Sequence, residues 1–212
     1  MKAFDLSLYL VLDPDLCQQH SMIETAREAV AGGATIVQLR HKLVSTQERI
    51  ALARALIDTL RGTGAKVVMN DDVTAAVEAG VDGLHIGQGD MTPALAREHI
   101  GSQMILGLSV NTENAAHLVD PAIVDYVGVG PVFATPTKPD HEKPLGFDGL
   151  ARVIAASPVP TVAIGGLKQH HIQSVFDAGA DGIAVVSAIC GTPDPRHAAH
   201  DLWAQIRSCR LG

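Results

Sequence analysis

Aromatic side chains are scarce in this sequence: one Trp, two Tyr and four Phe make up 3% of 212 residues, although 47% of the chain is hydrophobic. Its core must therefore be built from Ala, Val, Leu and Ile, the residues that fill parallel sheets covered on both faces, which favours an α/β fold over a β-sandwich. Cysteine is sparse too. Cys17, Cys190 and Cys209 are odd in number and lack C-x-x-C spacing, which points to reduced thiols in a cytoplasmic protein. No window concentrates Lys and Arg, and the formal net charge is −7, so the electrostatic footprint of a nucleic-acid partner is missing. No apolar run can span a bilayer. The stretch between Asp5 and Asp13 is too short for a signal-peptide core with its cleavage site, so no membrane partner is expected. There is also no G-x-S-x-G elbow, no Cys–His pair in a recognisable context and no Walker lysine motif.

What the chain does have is a repeated alternation. Strand-like apolar runs at about 8–12, 36–39, 66–69, 83–86, 104–108, 126–129, 160–163 and 182–186 alternate with segments of helical periodicity, the pattern of βαβ units. Eight such runs predict a closed (β/α)₈ TIM barrel, with residues 1–212 forming one catalytic domain. Helix starts are marked by Ser21 and Ser45, each followed three residues later by Glu24 or Glu48, the capping-box spacing, and by Thr92-Pro93, where Pro takes the first helical position. The helix-to-strand turns recur as AGGAT (31–35), EAGVDG (78–83) and DAGADG (177–182). They belong at the bottom of the barrel, so Asp82 and Asp181 are predicted to be structural. The connection over 130–146, with Pro131, Pro136, Pro139 and Pro144, is far longer than an ordinary strand-to-helix loop, and long loops at the top of a barrel are usually functional.

In a parallel barrel all strand C-termini lie on one face, and the residues that follow these strands are chemically pointed. Asp71 follows the third strand and Asp90 lies just past the fourth. One or two carboxylates, with water and substrate phosphate completing the shell, are the usual means of holding Mg²⁺. Asp72 is instead the candidate helix cap. Arg40 and Lys42 lie two apart after the second strand, with Gln38 in register below them. A guanidinium fork and an ammonium suit a polyphosphate, and Lys138 adds a cation from the long loop. Gly165-Gly166 after the seventh strand and Val186-Ser187 after the eighth suggest a second phosphate site, where backbone N–H groups can approach an anion closely. His85, between Leu84 and Ile86, is read as a hydrogen-bonded barrel residue rather than a catalyst.

Taken in order, QLRHK (38–42), NDD (70–72), HIGQGD (85–90), GLS (107–109), GPVFATPTK (130–138), AIGG (163–166) and VVSA (185–188) resemble the thiamine-phosphate synthase family over nearly the whole chain. The resemblance implies a transferase that joins hydroxymethylpyrimidine diphosphate to a thiazole phosphate by dissociative loss of pyrophosphate. It implies that Gln38, Leu39, Arg40, His41, Lys42, Asn70, Ser109 and Lys138 bind the pyrimidine diphosphate, with Lys138, Arg40 and Ser109 in the catalytic roles. One Mg²⁺ per subunit would sit on Asp71 and Asp90, and Thr135, Pro136, Thr137, Gly166, Val186 and Ser187 would hold the thiazole phosphate. Two positions depart from the family pattern: His41 stands where an acidic residue is frequent, and Asn111 where a His is common. His41 should face away from Arg40 and Lys42 in an extended segment. The alternatives are a thiazole tautomerase-like isomerase on the same barrel and a non-catalytic phosphate-ligand-binding barrel. The complete set of Arg40, Lys42, Asp71, Asp90 and the TPTK loop argues against both. The physiological form of the thiazole phosphate is left open, as is a homo-oligomer.

Overall fold

A computed structural model describes residues 4–135 and 143–211. Eight parallel strands close on themselves in sequence order: β1 (Leu8–Leu12), β2 (Ile36–Leu39), β3 (Lys66–Asn70), β4 (Gly83–Ile86), β5 (Ile105–Val110), β6 (Tyr126–Val129), β7 (Thr161–Ile164) and β8 (Gly182–Val185). The helices α1 (Met22–Ala31), α2 (Thr46–Leu60), α3 (Val73–Ala79), α4 (Pro93–Ile100), α5 (Glu113–His117), α6 (Gly146–Ala155), α7 (Ile172–Asp177) and α8 (Pro195–Leu211) follow them in turn. The expected (β/α)₈ barrel is thus the observed architecture. Strand β5 extends beyond its predicted end, so Ser109 lies within a strand and not in the loop after it. No helix among the described residues is long and apolar enough to cross a membrane.

Two separate cores hold this arrangement. The larger fills the layer between barrel and helices and takes the outward residues of the strands, such as Leu10, Leu39, Met69 and Leu84. The smaller is the barrel interior, where Tyr9, Val11, Ile36, Val68, Ile105, Tyr126, Val162 and Ala184 pack together. Because successive strand residues point to opposite faces, continuing this inward parity along each strand brings Asp13, Gln38, Arg40, Asn70, His85 and Ser109 to the interior and its mouth.

The predicted caps act as their chemistry requires, with one difference. Ser45 makes the complete capping box with Glu48, whereas Ser21 accepts from the Glu24 N–H while the Glu24 carboxylate pairs with Arg27 instead. Thr92 gives no side-chain cap, and Pro93 opens α4. At the bottom of the barrel Asp82 and Asp181 are structural, as expected, and they belong to a repeated device. The Asp82 N–H donates to the Val67 carbonyl while its carboxylate accepts the Val67 N–H. Asp181 clasps Thr161 in the same way, and Asp125 clasps Leu106. Thr35 performs the equivalent on Leu8 with its hydroxyl. Each clasp joins an odd-numbered strand to the next even one and satisfies a strand-end N–H that would otherwise lack a partner.

Candidate active site

The mouth of the barrel gathers two groups of side chains. On the side of β2 to β5, Arg40 donates to the Asp13 carboxylate at 3.0 Å, and Lys42 Nζ lies 3.5 Å from Asp71 Oδ2. The Asp90 carboxylate lies close enough to act on the ionisation of Asp71, and its Oδ2 accepts the Gly87 N–H at 2.8 Å. Asp71 adopts φ 62° and is, among the described residues, the only non-glycine with a positive φ. That conformation is disfavoured for a residue with a Cβ. It is held by the Asp71 N–H donating to the His85 carbonyl at 2.9 Å. Burial, and then the hydrogen bond and charge of Asp90, push the Asp71 carboxyl above the usual carboxylate range, while Lys42 and Asn70 act in the opposite direction. The outlying backbone and the crowded carboxylates thus fall at one point of the mouth.

Asp72, one residue on, has a different task. It caps α3 by accepting the Ala75 N–H at 2.9 Å, and it accepts from Thr46 Oγ1 at 2.9 Å and Arg49 Nη1 at 2.6 Å. Burial opposes its ionisation, but these donors prevail and hold its carboxyl below the ordinary range. The capping role expected of Asp72 is therefore visible in its contacts.

Several residues of the QLRHK segment sit differently from a uniform substrate-binding strip. The Leu39 side chain turns outward into the barrel–helix layer, so only its backbone can face the mouth. Gln38 is buried in the interior and donates to the Tyr9 hydroxyl at 2.8 Å. The His41 carbonyl accepts from Arg49 at 2.9 Å, and the His41 Nδ1 is buried without a hydrogen-bond partner among the described residues, while Lys42 is exposed. Asn70 ends β3 opposite His85. Ser109 Oγ lies 2.9 Å from His85 Nε2, and the Ser109 carbonyl accepts from Gln88 at 2.8 Å. His85 is indeed a hydrogen-bonded barrel residue, and the loss of solvation inside the barrel pushes its pKa down to about 4.

The second group lies over β6 to β8. The loop after β6 is laid on the loop after β7 by the Val132 N–H donating to Ile164 O at 2.9 Å and the Phe133 N–H to Gly165 O at 3.0 Å. Phe133 and Ala134 are thereby carried over Gly166. Gly166 has φ 65°, and a Cβ there would stand 2.8 Å from both Ala134 O and Phe133 Cβ, so only glycine permits this approach of the two loops. Ser187 is exposed at the end of β8 and accepts from Lys168 Nζ at 3.0 Å. Lys168 has no counterpart in the motif reading. Its lone position after GGL gave no signal, because only the fold brings it to Ser187. Pro136, Thr137 and Lys138 lie outside the described residues.

Comparison with known proteins identifies the family. The family model described as thiamine monophosphate synthase matches residues 8–189. The chain belongs to the thiamine monophosphate synthase family. Curated relatives in this family include a thiamine-phosphate synthase of Xanthobacter autotrophicus, 47% identical over 99% of each chain. Another, from Psychrobacter sp., is 46% identical over 94% of this chain and 95% of its own length. Among solved structures, a thiamine phosphate pyrophosphorylase from Pyrococcus furiosus superimposes with a TM-score of 0.88 at 33% identity, over 98% of both chains. Gly166→Val is expected to weaken titrated thiazole phosphate by roughly tenfold or more, because the side chain separates the two loops. It should leave the diphosphate substrate bound within about twofold, since the two groups stand on different strand ends and share no residue. Equal losses for both ligands would show that the second group is not a separate site.

Proposed function

We propose that the chain catalyses the condensation of 4-amino-2-methyl-5-hydroxymethylpyrimidine diphosphate with thiazole phosphate, releasing pyrophosphate and giving thiamine phosphate. The observation that carries this reading is the joining, in one barrel mouth, of a cation and paired-carboxylate group on β2 to β5 with a glycine-bearing phosphate loop on β7 and β8. The difficult step is departure of pyrophosphate from an electron-rich pyrimidine methylene, which requires charge stabilisation and positioning rather than a protein nucleophile.

In this assignment Arg40 and Lys42 hold the diphosphate, Asn70 and Ser109 orient it, and Lys138 meets the negative charge that grows as the leaving group separates. Gly166 and Ser187, with Thr135, Pro136, Thr137 and the Val186 backbone, hold the thiazole phosphate so that its ring nitrogen faces the methylene carbon. The donor set fits Mg²⁺: Asp71 and Asp90 offer hard oxygens, the Asp90 carboxylate lies close enough to act on the ionisation of Asp71, and substrate phosphate can complete the shell. When bound there, Mg²⁺ would supply positive charge to the diphosphate. A cytoplasmic location fits an enzyme that works on small phosphorylated substrates.

The test is incubation of the purified protein with both substrates and Mg²⁺, followed by chromatography for thiamine phosphate and an assay for pyrophosphate. Both products should appear together and disappear after chelation. Isomerisation of the thiazole substrate without pyrophosphate release would indicate a tautomerase-like isomerase, and binding without any product a phosphate-ligand-binding barrel.

A further inference from the structure

Beneath the mouth, polar groups cross the barrel in an unbroken line. Gln38 Nε2 donates to the Tyr9 hydroxyl at 2.8 Å, Tyr9 and Tyr126 hydroxyls lie 2.9 Å apart, Tyr126 Oη lies 2.9 Å from His85 Nδ1, and His85 Nε2 lies 2.9 Å from Ser109 Oγ. Tyr9 and Tyr126 are 1% and 0% exposed, so water offers them no alternative partners. The arrangement has been given room. A Cβ at Gly107 would collide with the Tyr126 phenol and the His85 ring, and one at Gly128 would press on the same imidazole at 3.2 Å. Glycine inside a strand costs stability, and here two of them leave space for a polar chain where an aliphatic layer would fill most barrels.

Counting hydrogens along this line fixes its direction. Each phenol has one proton to give. With Gln38 donating to Tyr9, the Tyr9 proton goes to Tyr126, and the Tyr126 proton to His85 Nδ1. The imidazole then carries its own proton on Nε2 and donates it to Ser109 Oγ. An imidazolium would place a proton on Nδ1 as well, leaving one buried phenol proton without an acceptor, a costly defect in a closed chain. Ser109, already an acceptor from below, has its hydroxyl proton free to point upward. We propose that Tyr9, Tyr126 and His85 are positioning residues that hold the Ser109 hydroxyl as a hydrogen-bond donor toward the diphosphate of the substrate and the departing pyrophosphate. The ligand in this inference rests on the synthase reading above; the orientation of the chain does not. The opposite placement of the Gln38 amide would reverse every link and turn the Ser109 proton down into the barrel, where it could not help a leaving anion.

Two measurements decide the matter. In protein labelled with ¹⁵N at its histidines, long-range proton–nitrogen correlation should show His85, assigned by its absence in His85→Gln, with Nε2 protonated and Nδ1 bare. Protonation at Nδ1 instead would overturn the proposed direction. Titration calorimetry with pyrophosphate in the presence of Mg²⁺ then tests the link to the ligand. Tyr126→Phe should weaken pyrophosphate by roughly tenfold in the otherwise unchanged protein, the loss of about one oriented hydrogen bond to a charged group. In a Ser109→Ala background the same substitution should matter by less than about twofold, because coupled residues are not additive. Equal losses in both backgrounds would overturn the role assigned to the chain. No pyrophosphate binding by the unsubstituted protein would overturn the synthase reading and the ligand named here, while the imidazole spectrum would still decide the orientation.

Discussion

Replacing Asp71 by glycine is expected to abolish turnover without lowering stability. A left-handed backbone costs a non-glycine residue about 1 kcal/mol or more, and glycine removes that cost, although it loses about 0.5–1 kcal/mol through the greater freedom of the unfolded chain. The substitution also ends the crowding with Asp90. Because the folded-state pKa of Asp71 is raised, the folded chain binds its proton more tightly than the unfolded one. The associated stability is present at low pH and is lost as pH rises from the ordinary carboxylate value through the raised one. At neutral pH the wild-type carboxylate is therefore a burden that Asp71→Gly lifts. The melting temperature should stay level or rise by about 2 °C, whereas turnover should fall by at least 10²–10³, on the order of one lost electrostatic stabiliser. Asp72→Ala should do the reverse. Losing the α3 cap costs about 1–2 kcal/mol, or a few degrees of melting temperature, with turnover little changed. Mg²⁺ added during the melt should raise the transition for wild type and not for Asp71→Gly. If Asp71→Gly keeps its activity, or if the two variants lose it equally, the metal assignment is wrong.

Arg40→Ala is expected to lose on two counts that a second substitution can separate. One is the substrate: removing a charge-assisted contact to the diphosphate should weaken its binding by about 10- to 100-fold. The other is Asp13, whose side chain is 9% exposed and loses the guanidinium at 3.0 Å. Stranding a buried carboxylate can cost about 3–5 kcal/mol, and the partial exposure of Arg40 at 22% reduces this to about 1–3 kcal/mol. Adding Asp13→Asn to Arg40→Ala should recover most of the melting temperature, since a neutral amide needs no counter-charge, while affinity for the diphosphate stays low. Recovery of both would mean that Arg40 acts only by bracing Asp13.

The barrel and the gathering of these residues at its mouth were legible because the signals were local. Strand ends pass abruptly from Val, Leu and Ile to Asp, Arg, Lys or Gly, and Ser45, Asp72 and Pro93 mark helix starts at sites that act as caps or first turns. What escaped, beyond the shared face read for Gln38, Arg40 and Lys42, was the inward parity of the strands. In a parallel barrel both strand faces are apolar, so Tyr9 and Tyr126 look no different from their outward neighbours. Gln38 and Leu39 are adjacent in one motif, yet one faces the interior and the other the helices. Asp13 could be read as a polar bracket to an apolar run, since its partner Arg40 is distant in sequence, and Lys168 meets Ser187 only through the closure of the fold. Gly107 and Gly128 gave no sign that they make space for a ring.

The strand-to-strand clasps of Thr35, Asp82, Asp125 and Asp181 divide the barrel into quarters, each fastened at its base. Each quarter also carries a distinct part of the proposed site at its other end. The first supplies Asp13 and Arg40, the second Asp71 and Asp90, the third Ser109 and the long loop, and the fourth Gly166 and Ser187. Fastener and chemistry lie at opposite poles of the same strand pair, so a change in substrate preference within one quarter need not disturb the pairing that holds that quarter together.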